Sequence, residues 1–86
     1  MTKEITDRAD ALRKRQQYSE AAVFYEDAWQ KDASPYIGRW LIYCRRKAGD
    51  LNGAATIAAM VLDRFPNQPL LTTEYAWIFY DSKVKE

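Results

Sequence analysis

The sequence predicts an all-α fold: two helical hairpins and a fifth helix, stacked as a short right-handed array. Three observations predict it. Apolar residues recur at helical spacing in consecutive blocks. Short turn signals separate those blocks. The second hairpin also repeats the first at a constant offset along the chain. The hairpins are expected over about 3–33 and 35–65, and the fifth helix over about 69–83, all within one domain spanning 1–86.

In the first segment, Ile5, Ala9 and Leu12 draw a thin apolar stripe through a charged stretch. A turn at Gln17-Tyr18 leads to Ser19, which can cap the next helix. There Tyr18, Ala21, Ala22, Tyr25, Ala28 and Trp29 follow one helical face. Ser34-Pro35 opens the third helix, because the Ser oxygen caps free N–H groups and Pro at the first position loses nothing. Ile37, Leu41, Cys44 and Ala48 then recur at spacings of four, three and four. Gly49 supplies a left-handed residue to end that helix, and Asp50 or Asn52 can cap the fourth.

The fourth helix is rich in Ala54, Ala55, Ala58 and Ala59, whose short side chains let helices approach closely. Pro66 disfavours helix at Phe65 and closes the hairpin. Pro69 then opens a last segment with Leu71, Tyr75, Ile78 and Phe79 on one face and Thr73, Trp77 and Tyr80 on a second. A helix that only caps an array has a polar outer face. This one is apolar on most of its circumference, so Trp77 and Tyr80 are expected to be covered by another chain.

Aligning the two second helices places Tyr18 on Leu51, Ala21 on Ala54 and Ala28 on Val61, with the same separation in every pair. A constant helix-pair period of this order is a solenoid signature. The blocks YSEAAVFYEDAWQKD and GDLNGAATIAAMVLDRFP resemble the tetratricopeptide repeat family, over roughly residues 2 to 80. The resemblance implies a short right-handed α-solenoid whose first helices line a concave, protein-binding surface. Departures from the family pattern are a missing Trp and Leu-Gly pair in the first helices. Ile42 also stands where a small residue is usual, and Arg45 where a large aromatic is usual. Where some members carry a Lys, Asn and Arg clamp for carboxylate tails, this chain has Asp10, Tyr43 and Trp77, so that activity is not implied.

Composition removes several function classes. A net charge of +1, from 13 basic and 12 acidic residues, gives no global field for nucleic acid or membranes. The longest nearly apolar run, Ala54 to Leu62, is too short to cross a bilayer. One cysteine and no histidine leave no disulfide within the chain and no obvious nucleophile–base pair. Cys44 reads as a small buried hydrophobe in a reducing, cytoplasmic setting. No clustered ligands suggest a metal, no glycine spacing suggests a phosphate loop, and no cofactor is expected. The chain therefore reads as non-catalytic.

What remains is an interaction surface. Tyr36, Trp40, Tyr43 and Lys47 share one sector of the third helix, with Arg39 beside them, and Trp77 and Tyr80 fall in the matching sector one hairpin later. Tyr and Trp are common binding anchors. Arg13, Lys14 and Arg46 end the first helices and form a basic rim, although cations there also offset the helix macrodipole. The expected partner is another protein or a peptide. Self-association through the last helix, as a homodimer, is the alternative, with nucleic acid disfavoured by the neutral balance. In a short array the aromatic rings can also simply pair with one another.

Overall fold

The computed structural model describes residues 2–67, and those residues form four helices. They are α1 (Thr2–Lys14), α2 (Tyr18–Lys31), α3 (Pro35–Lys47) and α4 (Leu51–Arg64). No strand occurs among the described residues, so the all-α expectation holds for them. The fifth helix expected over 69–83 lies outside the described residues, as do Trp77 and Tyr80. No described helix is long and apolar enough to cross a membrane.

The sequence period extends into the backbone. The offset that carries Tyr18 onto Leu51 also carries both ends of α1 onto those of α3, Thr2 onto Pro35 and Lys14 onto Lys47. It carries Lys31, the end of α2, onto Arg64, the end of α4. The hairpin turns repeat as well. Gln17 N–H donates to the Leu12 carbonyl and Gln16 N–H to that of Arg13, each at 2.9 Å. One period on, Asp50 N–H donates to Arg45 at 2.9 Å and Gly49 N–H to Arg46 at 3.1 Å. Each pair is the hydrogen-bond pattern of a left-handed helix stop. The left-handed residue is Gly49 in the second turn, with φ +90°, but Gln16 in the first, with φ +64°.

That first turn corrects one expectation. Ser19 does not cap α2. The left-handed Gln16 reverses the chain early, so Gln17 takes the cap position without a side-chain bond and Ser19 falls inside the first helical turn. The other caps are as expected: Ser34 Oγ accepts from Ile37 N–H at 3.2 Å, and Asp50 Oδ1 accepts from Gly53 N–H at 3.0 Å.

Each helix packs on its chain neighbour, α1 on α2, α2 on α3 and α3 on α4. The core runs through all four: Ala9, the α2 stripe Ala21, Ala22, Tyr25, Ala28 and Trp29, then Ile37, Leu41, Ile42 and Cys44, then Ala54, Ile57, Ala58 and Val61. Tyr18 is only half-buried, and Ala48, on the expected stripe of α3, is exposed just past the helix end. The small residue that admits close approach in α3 is Gly38, one turn before Ile42. A Cβ at Gly38 would meet the two Val61 methyls at 2.7 and 2.9 Å and the Trp29 ring at 3.2 Å. Arg45 is held by ionic contacts, with Nη2 2.7 Å from Glu26 Oε2 and Nη1 3.0 Å from Asp50 Oδ2.

A candidate aromatic and cationic binding surface

The site begins with a carboxylate. Asp10 lies on the last-but-one turn of α1, next to the fully buried Ala9, and faces α2 and α3. Tyr25 of α2 donates its hydroxyl to Asp10 Oδ1. Tyr36 of α3 donates to Asp10 Oδ2 at 2.9 Å. Arg13, one turn along α1, donates Nε to the Tyr25 oxygen at 3.1 Å and holds Nη2 3.7 Å from Asp10 Oδ1. One acid thus ties three helices together. A hydroxyl on a fully buried ring needs an acceptor, and Asp10 is the acceptor for Tyr25.

These contacts shift the titrating groups in one direction. Burial and then the bond to Asp10 push the Tyr25 phenol well above its ordinary range. The same two causes, in the same order, raise Tyr36. Burial works against the charge on Arg13, but the bond to Tyr25 and the fields of Tyr25 and Asp10 outweigh it, and its affinity for the proton rises.

From Tyr36 the site continues along α3 as a ladder of rings in edge-to-face contact. Centroids lie 6.5 Å apart between Tyr36 and Trp40, 5.2 Å between Trp40 and Tyr43, and 5.7 Å between Tyr43 and Tyr18 of α2. Such contacts add about 0.5–1.5 kcal/mol each beyond simple burial. The ladder is partly sunk: Tyr36 is 48% exposed, whereas Trp40 and Tyr43 are half-buried against the core. Cations cover the rings. Arg13 and Arg39 lie over Trp40, at 3.7 and 4.5 Å from its centroid, and Arg46 and Lys47 over Tyr43, at 5.4 and 5.7 Å.

The structure therefore brings Tyr36, Arg39, Trp40, Tyr43, Lys47, Arg13 and Arg46 into one continuous surface on α1 and α3. Lys14 stands at the end of α1, outside this set of contacts. The rings do pair with one another, as a short array allows, and Tyr36 stays exposed at the end of the ladder. Asp10 and Tyr18 belong to the same surface, although neither is among the residues expected to bind a partner. Among the described residues no group of three or more His, Cys, Asp or Glu side chains is placed to hold a metal ion. Compared with models of known families, with curated proteins and with solved structures, the chain matches none.

Proposed function

We propose that the protein is a non-catalytic interaction module of tetratricopeptide-like architecture, and that it binds a peptide or partner protein through the surface around Trp40. The observation that carries this reading is the state of Trp40 itself. It is a half-buried indole held between two tyrosines and under two guanidiniums, with Tyr36 exposed beside it. A rigid aromatic anchor with arginines at its side is the residue pattern of interface hot spots. It also binds at low entropic cost, because its neighbours already fix its rotamer.

The architectural part rests on the repeat. Helix bounds and turn hydrogen bonds recur at one constant offset, and each helix packs on the next. A chain that continues this rule stacks its hairpins as a short right-handed solenoid, with a fifth helix over about 69–83 following the second hairpin. A cytoplasmic setting fits the single thiol, Cys44, which is buried in α3.

The test is capture of partners from the native lysate by the wild-type chain and by Trp40→Ala. Capture lost in the variant, with helix content unchanged by circular dichroism, supports the reading. Equal capture by both would place binding elsewhere. Light scattering on the isolated chain decides the alternative: a stable dimer over a wide concentration range, abolished by Trp77→Ser with Tyr80→Ser, would make self-association the function.

A further inference from the structure

We infer that the surface around Trp40 and Tyr43 binds an acidic segment of a partner protein, held as an anion by Arg39 and Lys47. This rests on the binding reading above and narrows it to one ligand chemistry. The charge pattern is local. Although the whole chain carries only +1, α3 holds Arg39, Arg45, Arg46 and Lys47 and not one carboxylate. Arg45 is neutralised by Glu26 and Asp50, and Arg13 on α1 by Asp10. Arg39 and Lys47 make no ion pair among the described residues, yet both are held in place, against the rings of Trp40 and Tyr43.

A guanidinium lying on an aromatic ring loses conformational freedom while its N–H edge stays available to acceptors. The ladder thus presents oriented cations before any partner arrives, which lowers the ordering cost of binding. Oriented cations that have no anion among the described residues are matched by a run of carboxylates.

The same geometry disfavours the other ligands that aromatic and basic surfaces take. Single-stranded nucleic acid binds by stacking bases on open ring faces. Here the Trp40 ring already carries Arg13 and Arg39, and its edge-to-face contacts with Tyr36 and Tyr43 engage it further. A cationic ligand would have to displace those same side chains.

The experiment is fluorescence anisotropy on the full chain with three labelled probes: octaglutamate, a Gly-Ser peptide of equal length, and oligothymidine. Octaglutamate should bind, the Gly-Ser peptide should not, and added salt should weaken the complex. Arg39→Gln with Lys47→Gln should weaken it at least about tenfold, the loss expected of anchor contacts, with an unchanged circular dichroism spectrum. Octaglutamate binding no better than the Gly-Ser peptide, binding unaffected by the double substitution, or tighter binding of oligothymidine would each overturn the inference. Partner capture from lysate separates the two levels. Capture lost with Trp40→Ala but retained by the double variant keeps the surface and removes the acidic ligand. Capture retained by both removes the surface as well.

Discussion

The guanidinium of Arg13 lies 3.7 Å from the ring centroid of Trp40, and so links α1 to α3, which are not neighbours in the chain. Trp40 is consequently neither a loose surface ring nor a core residue. It packs against the core on one side and under charged groups on the other. Full truncation of a core aromatic costs about 3–5 kcal/mol. Trp40→Ala should cost less, about 1–2 kcal/mol, since only part of its area leaves contact. Urea unfolding checks this. A loss in the full core range would mean that Trp40 serves stability first.

At Gly38 the expected sign is destabilising, against helix propensity. Alanine in mid-helix gains about 1 kcal/mol over glycine. Here, however, its Cβ would fall 2.7 and 2.9 Å from the methyls of Val61, which is itself fully buried and has nowhere to retreat. Overpacking of this kind costs about 1–3 kcal/mol. Gly38→Ala should therefore lower stability, and Val61→Ala should recover part of the loss in the double variant. Strict additivity of the two changes would deny the contact.

The first turn offers the opposite opportunity. Gln16 has φ +64° where the equivalent turn uses Gly49. A left-handed conformation costs a residue with a Cβ about 1–2 kcal/mol, and glycine nothing comparable. Part of that gain is lost to the greater freedom of glycine in the unfolded chain. Gln16→Gly should raise stability by about 0.5–1 kcal/mol, measured by the urea midpoint at constant slope.

These positions show what the sequence makes legible. Helix bounds follow from local signals that act alone: Ser34 and Asp50 cap whatever follows them, and Gly49 turns left because it can. The misplaced cap at Ser19 has the same root. A glutamine carries no signal for a left-handed turn, so only the folded hairpin reveals Gln16 in that role. The sector of Tyr36, Trp40, Tyr43 and Lys47 is legible because one helix fixes it. Asp10 is not, because its role depends on two hydroxyls that come from other helices, 15 and 26 residues away. The available clue was Tyr25, a hydroxyl on a core stripe whose counterpart in the second hairpin is Ala58. It implied a buried acceptor without saying which.

Alkaline pH provides a signature of that buried hydroxyl. The ordinary tyrosine value is 10.0, and in the folded chain burial and Asp10 hold Tyr25 above it. Below pH 10 both folded and unfolded chains keep the proton, and the contribution to stability is complete. As pH rises past 10 the unfolded chain ionises first, and stability declines until the folded value is reached. The slope from one such group approaches about 1.4 kcal/mol per pH unit. Tyr25→Phe should flatten the decline between pH 10 and 11.5. An identical slope in both proteins would mean that Tyr25 titrates freely.

Asp10 concentrates the largest expected effect in the most compact change. Its carboxylate accepts from Tyr25 and Tyr36 and faces Arg13, so one side chain fixes the spacing of three helices. Asp10→Ala leaves the Tyr25 hydroxyl buried without its acceptor, which costs about 1–3 kcal/mol by itself. It also removes the anion facing Arg13, a half-buried cation, so the total should reach about 2–4 kcal/mol. Asp10→Asn keeps the shape and one acceptor oxygen but no charge, and should cost less. The coupling between Asp10 and Tyr36 can be measured separately. Tyr36→Phe removes one hydroxyl from a half-exposed ring and should cost about 1 kcal/mol or less in the wild type. In the Asp10→Ala background the same change should cost nothing, because the hydroxyl has already lost its acceptor. If Tyr36→Phe costs the same in both backgrounds, Asp10 does not hold α3 through that bond, and the ring ladder is positioned by packing alone.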